Sequence, residues 1–391
     1  MKTIRNDGKT FCEMDRLFLE RKTLDSLLEQ VGTPLCVYDE KGLRDGAKSL
    51  LSKFAPIDAS SVSVPVYLCP RKEVLAVLAK EGVSALCRTR QELRLALESG
   101  FSGDRIVYSL LIPDETLCAQ LKELDSRLLA ANERILNGPL PRRVDILCTK
   151  HHPKTALLVP SKKSRAYLGL DRKQVWEYAP KLAEQNISLG IALLDEMNSV
   201  ELIGQVSKLQ QMTKYADELR ETTGVEISRF VPGVGPGMQY HRNGPPLDED
   251  MFVREFAKIM QGRSELLCLD MGRRLLDPHA ILVTTLLEII YRNRPSLYVD
   301  TPSSVLRQHP TDRFHHSSIL GKEWLEGRKM CDVAGPLPMR LDHYADRCVL
   351  PVAEIGDRVV FHDVGSSVQP HAPVPTYFHR EDGTVVPIKA W

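Results

Sequence analysis

Short apolar runs alternate with amphipathic segments along the chain from about residue 34 to residue 275. The apolar runs are rich in β-branched residues, which is typical of buried strands, and the segments between them carry apolar residues at helical spacing. The strand candidates are 62–68, 105–109, 144–148, 187–194, 225–231 and 266–270. Strands that alternate with helices in this way predict βα units wound into a parallel sheet. Their number and even spacing favour a closed barrel over an open sheet, although periodicity alone does not decide closure.

The pattern changes after residue 280, where strand candidates follow one another with little helical periodicity between them. These candidates are 296–300, 347–353, 357–363 and 384–389, and proline, glycine and aspartate bound them. They predict a mainly β domain after the barrel. A length of 391 residues suits a barrel of about 250 residues with a smaller second domain.

Composition and charge argue against several classes of function. The chain has 52 Lys and Arg against 51 Asp and Glu, so its net charge of +1 favours neither nucleic acid nor an anionic membrane. No apolar stretch reaches the roughly 18 residues of a spanning helix, and the N-terminal sequence lacks the apolar segment of a secretion signal. The nine cysteines are scattered, as in a reducing compartment, so we expect a cytoplasmic protein. The nearest approach to a metal site, Cys148 with His151 and His152, is interpreted as a surface loop.

Several short segments resemble, in the same order along the chain, one family of enzymes. They are Gly32–Asp39, Leu78–Gly82, Gln91–Leu93, Tyr167–Leu170, Gly233–Gly237, Gly272–Arg273, Gly335–Leu337 and Gly356–Asp357. The family is the fold type III decarboxylases of diaminopimelate, ornithine and arginine, which use pyridoxal phosphate (PLP). The resemblance covers nearly the whole chain. It implies an alanine-racemase-like (β/α)8 barrel over 34–278, a β-rich C-terminal domain over 279–391 that also receives residues 1–33, and a head-to-tail dimer with active sites at the interface.

The sequence departs from this family where the PLP lysine is expected. Alignment on the following helix places Tyr67 at the lysine position, and alignment on the tyrosine places Pro70 there. Neither residue can form an imine with PLP. Lys72 lies two to five residues further along, so it is either a displaced Schiff-base lysine or a solvated lysine at a helix start.

Three further family positions have changed. Glu196 stands where the family has a histidine that stacks on the cofactor ring, and only Ser199 of that segment is kept. Pro338 stands where a cysteine reaches in from the partner subunit, and Ser367 where a tyrosine lies near the phosphate.

The positions that match the family are mainly those that bind anions. Gly233, Gly235 and Gly237 follow an apolar strand, where glycines let backbone amides approach a phosphate or simply make a tight barrel loop. After the next strand, Gly272 and Arg273 add a guanidinium that suits phosphate or carboxylate. These residues predict a site for PLP or another phosphate-bearing ligand, held without a covalent bond.

Three acidic residues also match the family's site. Asp270 stands where a glutamate faces the pyridine nitrogen, and it is one methylene shorter. Asp300 and Asp342 match acidic positions near the substrate pocket, or they are ordinary surface-loop residues.

Three functions remain open from the sequence. They are a decarboxylase-family enzyme repurposed to act on an amino-acid-derived molecule without a PLP imine, a non-catalytic partner of a related decarboxylase, and a PLP decarboxylase with a displaced lysine. The candidate catalytic residues are Tyr67, Cys69, Glu196, Asp300 and Asp342. Polar and reactive groups at the barrel mouth, including Cys87 and Asp195, favour the repurposed enzyme. Its expected partners are a small molecule with a phosphate or carboxylate and a second subunit, either a copy of itself or a related decarboxylase.

Overall fold

The computed structural model describes residues 2–4, 10–12, 19–57, 60–148, 169–193, 201–233, 235, 237–238, 240, 248–307, 315–322, 325 and 327–390. These residues form two compact units. The barrel unit holds the described residues of 47–238 and 246–272, and the sheet unit holds those of 1–46, Tyr240 and 273–391. Within the described residues, no helix combines the length and the apolar character needed to cross a membrane.

The N-terminal part of the chain belongs to the sheet unit. It contains strands β1 (Lys2–Ile4), β2 (Thr10–Cys12) and β3 (Leu35–Asp39), helix α1 (Arg21–Val31) and the first half of helix α2 (Glu40–Phe54), whose residues from Ala47 onward belong to the barrel unit. One apolar stripe of α1, formed by Leu24, Leu27 and Leu28, packs in a buried cluster with Leu35 and Val37 of β3. This burial stabilises the first helix on the sheet, because apolar area is removed from water on both sides.

Eight parallel strands form a closed barrel in the order β10-β11-β4-β5-β6-β7-β8-β9. The strands are β4 (Ser60–Pro65), β5 (Ser84–Cys87), β6 (Ile106–Leu110), β7 (Arg127–Ala130), β8 (Arg143–Cys148), β9 (Ser188–Leu193), β10 (Arg229–Val231) and β11 (Leu266–Asp270). The helices between them are α3 (Lys72–Lys80), α4 (Arg90–Glu98), α5 (Glu115–Glu123), α6 (Glu133–Leu136), α7 (Arg172–Glu184), α8 (Leu202–Thr223) and α9 (Glu249–Met260). Side-chain oxygens of Thr89, Asp114 and Asp248 cap helix N-termini by accepting backbone N–H groups. The predicted closed barrel is confirmed.

An ion pair lies buried among the barrel strands. Arg127 of β7 donates from Nη1 to Oδ1 of Asp145 on β8 at 2.8 Å, and both side chains are at most 6% exposed. Arg229 of β10 approaches the other oxygen of Asp145, with 3.9 Å between Nη1 and Oδ2. Burial lowers the pKa of Arg127, and the charge of Asp145 partly offsets that effect. Two guanidinium groups therefore share one carboxylate away from water.

The sheet unit continues after the barrel with a nine-stranded sheet. Its further elements are α10 (Gly272–Leu276), β12 (Ala280–Tyr291), β13 (Pro295–Val299), β14 (Ser317–Ile319), β15 (Lys329–Ala334), β16 (His343–Leu350), β17 (Arg358–Phe361), β18 (Thr376–His379) and β19 (Val385–Ile388). The main path runs β16-β15-β13-β12-β3-β18-β19, and β17 pairs with both β12 and β14. A mainly β domain after the barrel is therefore confirmed.

The boundary between the two parts differs from the predicted one. Leu35–Asp39, which the predicted boundary at residue 34 places in the barrel, pairs instead with β12 and β18 of the sheet. All five of its residues are buried, so its pattern suits either environment. The barrel strands begin at Ser60, and the compact barrel unit ends at Gly272.

Candidate functional site

Seven of the predicted site residues lie at the carboxyl ends of three neighbouring barrel strands. Tyr67 and Cys69 follow β4, the three glycines follow β10, and Asp270 and Gly272 end β11. The strands β10, β11 and β4 are consecutive around the barrel. Parallel strands present their carboxyl ends on one face, where barrel enzymes place their sites. We call these seven residues the barrel-mouth group: Tyr67, Cys69, Gly233, Gly235, Gly237, Asp270 and Gly272.

Tyr67 lies in a single 3-10 turn, Val66–Leu68, that replaces the end of the predicted strand. The guanidinium carbon of Arg88 stands 3.4 Å from the centroid of its ring, which is a close cation–π contact. Arg88 is held in turn by Glu92, whose Oε2 accepts its backbone N–H at 2.8 Å. Burial raises the pKa of Glu92. The position that the alignment gives to the PLP lysine therefore holds a phenol packed against a cation.

The chain after Tyr67 turns sharply and buries two side chains, the thiol of Cys69 and the guanidinium of Arg71. Cys69 is 0% exposed, and its carbonyl accepts the backbone N–H of Arg71 at 2.8 Å. Arg71 is only 2% exposed and is among the largest fully buried side chains. The sequence analysis missed Arg71, because an arginine just before a helix is usually a solvated residue. Lys72, the next residue, begins α3 with an exposed side chain.

Two of the three glycines have a structural reason within the barrel itself. The amide of Gly235 donates to the carbonyl of Asp270 at 2.7 Å, and a Cβ there would lie 2.7 Å from Met271 Sδ. Gly233 has a φ of +96°, a region that residues with a Cβ rarely adopt. Gly237 is buried. The tight-turn interpretation of the loop therefore accounts for Gly233 and Gly235 without a ligand.

Asp270 keeps the loop after β11 in place. Its Oδ1 accepts the backbone N–H of Gly272 at 3.0 Å, and its carbonyl accepts that of Gly235. A Cβ on Gly272 would lie 2.5 Å from Leu68 Cδ1, so the two strand ends approach closely there. The carboxylate thus has a local role in the turn as well as its predicted place near a ligand.

The described residues at the end of β4 do not fit a covalently bound PLP. An imine needs a lysine amine, and the two positions that the alignments give to that lysine hold Tyr67 and Pro70, neither of which carries an amine. The Gly235 amide, one of the expected phosphate donors, is bonded to the barrel backbone. Of the other predicted residues in this region, Asp195, Glu196 and Ser199 lie outside the described residues, as do His151 and His152.

Arg273 belongs to the sheet unit, where it starts a chain of hydrogen bonds. Its Nη1 donates to the hydroxyl of Tyr240 at 2.8 Å, and that hydroxyl donates to Oδ2 of Asp277. The other oxygen of Asp277 accepts the backbone N–H of Ser366 at 2.5 Å. Burial raises the pKa of Asp277 to about 6, since its side chain is 0% exposed. A carboxyl group that titrates close to neutrality is suited to proton transfer.

Two more titratable groups adjoin this chain. The ring of His315 packs edge-on against Tyr240, with 5.1 Å between centroids, and burial lowers its pKa to about 4. Burial and the charge of Asp277 raise the pKa of Asp363 to about 7. We call Arg273, Tyr240, Asp277, His315 and Asp363 the Asp277 cluster. Apart from Arg273, sequence reasoning missed it, because its members are isolated polar residues far apart along the chain.

Asp342 and Asp300 lie in the sheet unit and have well-defined partners. Both carboxylate oxygens of Asp342 accept backbone N–H groups, from Ser303 at 2.6 Å and from Leu337 at 2.9 Å. Asp300 Oδ2 accepts the hydroxyl of Thr33. Asp342 therefore ties two loops together, which is a positioning role.

Two of the positions where the resemblance predicts a changed family residue, Pro338 and Ser367, also lie in the sheet unit. Pro338 is exposed, and Ser367 is buried with its carbonyl accepting the backbone N–H of Arg307 at 2.6 Å.

Comparisons with known proteins give a consistent group of relatives. The chain is 24% identical over 387 residues to Protein TabA of Pseudomonas amygdali pv. tabaci, covering 94% of this chain and 90% of that protein. It is 26% identical over 367 residues to diaminopimelate decarboxylase of Methanothermobacter thermautotrophicus, covering 87% and 83%. No family model matches the chain.

Solved structures show the same fold. Diaminopimelate decarboxylase from Helicobacter pylori complexed with L-lysine superposes with a TM-score of 0.76 at 18% identity, covering 94% of this chain and 96% of that one. Lysine/ornithine decarboxylase from Vibrio vulnificus complexed with putrescine gives a TM-score of 0.70 at 16% identity, covering 90% and 94%. The chain is therefore similar in sequence to curated diaminopimelate decarboxylases, and it shares the fold of solved structures of fold type III, PLP-dependent decarboxylases.

Proposed function

We propose that this protein is a decarboxylase-family enzyme that acts on an amino-acid-derived small molecule without an imine between PLP and a barrel lysine. The observation that carries the proposal is the end of strand β4, where Tyr67 packs under Arg88 and Lys72 is exposed at the start of α3. A decarboxylase-like activity agrees with the relatives, and the solved structures named above were complexed with L-lysine or putrescine.

The Asp277 cluster supplies acid–base chemistry for such an enzyme. The guanidinium of Arg273 has the planar form that suits a carboxylate or phosphate. The Tyr240 hydroxyl lies between Arg273 and Asp277, so Tyr240 can give its proton to the bound molecule while a protonated Asp277 passes its own proton to the Tyr240 oxygen. Because the pKa of Asp277 is about 6, its protonated and ionised forms are close in free energy at neutral pH. In this proposal Arg273 binds the anionic group and Tyr240 holds the proton at its hydroxyl oxygen.

The absence of an imine is tested by reduction with borohydride in the presence of PLP, followed by peptide mass mapping. We expect no stoichiometric phosphopyridoxyl adduct on any lysine, and the near-ultraviolet and visible spectrum of the purified protein should show no imine band. The variant Lys72→Ala should behave like the unmodified protein. A stoichiometric adduct that Lys72→Ala abolishes would contradict the proposal and favour a PLP decarboxylase with a displaced lysine.

Ligand binding is tested by titration calorimetry with PLP, inorganic phosphate and L-lysine as probes. We expect at least one anionic probe to bind, with affinity that falls in Arg273→Ala. If none of the three binds, the enzyme proposal fails.

A second candidate, a non-catalytic partner of a related decarboxylase, is favoured by a different observation. Groups that match the family's site already bond to this chain's own backbone, namely the Gly235 amide and both oxygens of Asp342. The resemblance also implies a head-to-tail dimer, either of this chain with itself or with a related decarboxylase. Sedimentation of the purified protein, alone and mixed with a related decarboxylase, tests this candidate. A mixed dimer together with no binding of the three probes would favour it over the enzyme.

A further inference from the structure

Two cysteine side chains face each other across neighbouring strands of the sheet unit. Cys331 of β15 and Cys348 of β16 are direct partners in the antiparallel register. Their sulfur atoms lie 3.5 Å apart, and both are free thiols. Each sulfur also contacts the partner's backbone carbonyl, with 3.2 Å from Cys348 Sγ to the carbonyl oxygen of Cys331. The pair is therefore in van der Waals contact without a covalent bond.

The backbone around the pair suits a disulfide. Directly opposed residues in antiparallel strands have Cα atoms about 4.5 to 5.5 Å apart, which lies within the range of about 4.4 to 6.8 Å that disulfides span. A register irregularity follows Cys331, and Asp332 holds it by accepting the backbone N–H of Arg347 and the Nε of Arg294, both at 2.8 Å. This anchoring keeps the strands in the register that opposes the two thiols.

The two thiols have different surroundings. Cys331 is buried at 4% exposure and Cys348 is partly exposed, while the hydrogen bond between the thiols lowers the pKa of Cys331 and raises that of Cys348. Whichever thiol reacts first with a dissolved oxidant, the other sulfur lies 3.5 Å away and is placed to attack it in a second step. The segment between the two cysteines carries Asp342, whose carboxylate ties the loops of Ser303 and Leu337.

We propose that Cys331 and Cys348 are a thiol pair that closes to a disulfide under oxidising conditions and stiffens the hairpin that carries Asp342. With glutathione disulfide as oxidant, one of the two cysteine thiolates attacks one sulfur and releases one glutathione thiolate. The thiolate of the other cysteine then displaces the second glutathione from the first cysteine. One protein disulfide forms, two molecules of glutathione are produced, and the two protons lost by the protein thiols are taken up by the two glutathione thiolates.

The proposal is tested on the full-length protein titrated with defined ratios of reduced and oxidised glutathione. We expect the loss of two thiols per chain, one internal disulfide mapped to Cys331 and Cys348, and a higher Tm that returns to its starting value on reduction. Hydrogen exchange of 335–342 should slow in the oxidised form.

Three single variants distinguish a disulfide between Cys331 and Cys348 from oxidation of other thiols. In Cys331→Ser and in Cys348→Ser the reaction should stop at a glutathione adduct on the remaining cysteine of the pair, and no internal disulfide should form. Cys118→Ser, which removes a buried thiol elsewhere, should oxidise like the unmodified protein. A disulfide mapped to other cysteines, or a stable glutathione adduct on Cys348 in the unmodified protein, would overturn the proposal.

Discussion

The burial of Asp277 predicts a specific dependence of stability on pH. Its carboxyl group is 0% exposed, and burial raises its pKa from 3.8 to about 6. Because the folded state holds its proton to higher pH than the unfolded state does, Asp277 lowers stability as the pH rises from about 4 to about 6. A shift of roughly 2 pKa units corresponds to about 3 kcal/mol of unfolding free energy, all of it lost above pH 6.

The substitution Asp277→Asn isolates this contribution. Asparagine keeps the shape and can still accept the Ser366 backbone N–H, but it does not titrate. His315 has the opposite sign, because its lowered pKa makes stability rise with pH between about 4 and 6.5, and it is present in both proteins. The contribution of His315 to the unfolding free energy therefore cancels when the unmodified protein is compared with Asp277→Asn. The raised pKa of Asp363 also lowers the unfolding free energy as the pH rises, in the same direction as Asp277. The charge of Asp277 is one cause of that raised pKa, so Asp277→Asn removes this part of the effect as well.

The measurement is urea denaturation of both proteins at several pH values between 4 and 7. We expect the unfolding free energy of the unmodified protein to fall by about 3 kcal/mol relative to Asp277→Asn across this range. Asp250→Asn, which changes a carboxylate on a side chain that is 73% exposed, is the control and should give a curve parallel to that of the unmodified protein. A difference between the unmodified protein and Asp277→Asn that stays constant with pH would refute the reasoning from burial.

Four further substitutions, one of them a control, test other parts of the structure. Gly235→Ala should lower the unfolding free energy by about 1 to 3 kcal/mol because its Cβ would overlap neighbouring atoms, whereas Gly204→Ala, with open space around it, should raise it by about 0.5 to 1 kcal/mol. Asp145→Asn should cost about 3 to 5 kcal/mol in urea denaturation, because it leaves Arg127 buried without its carboxylate; an unchanged midpoint would contradict this. Arg273→Ala should weaken phosphate binding about ten- to hundredfold in calorimetry while circular dichroism stays unchanged, since it removes a charged hydrogen bond.

Long apolar runs with clear flanking helices could be read from the sequence. The strand Leu266–Asp270 and the helix Lys72–Lys80 lie where their patterns place them. The strands Ser84–Cys87 and Arg127–Ala130 were missed, because each has only four residues. So short a segment has no periodicity that separates a strand from a turn. Only the closed barrel shows that these two segments are strands, because each pairs with the neighbouring strands on both sides.

Pairing between distant segments could not be predicted from local pattern. Leu35–Asp39 is a buried strand by its composition, but composition does not say which sheet it joins. Its partners, such as Leu282 and Thr376 opposite Cys36, lie more than two hundred residues away along the chain. Burial of all its residues is satisfied equally in a barrel and in a sheet, so only the tertiary arrangement decides between them.

Some features of the candidate site could likewise be predicted from local sequence, and others could not. The sequence by itself predicted a replaced lysine position, at Tyr67 or Pro70, and showed the glycine loop after β10, because both are local features. Only the tertiary structure placed the Tyr240 hydroxyl between Arg273 and Asp277. A raised pKa depends on the loss of water around a carboxyl group, and the residues that exclude water from Asp277 come from segments far apart in the chain.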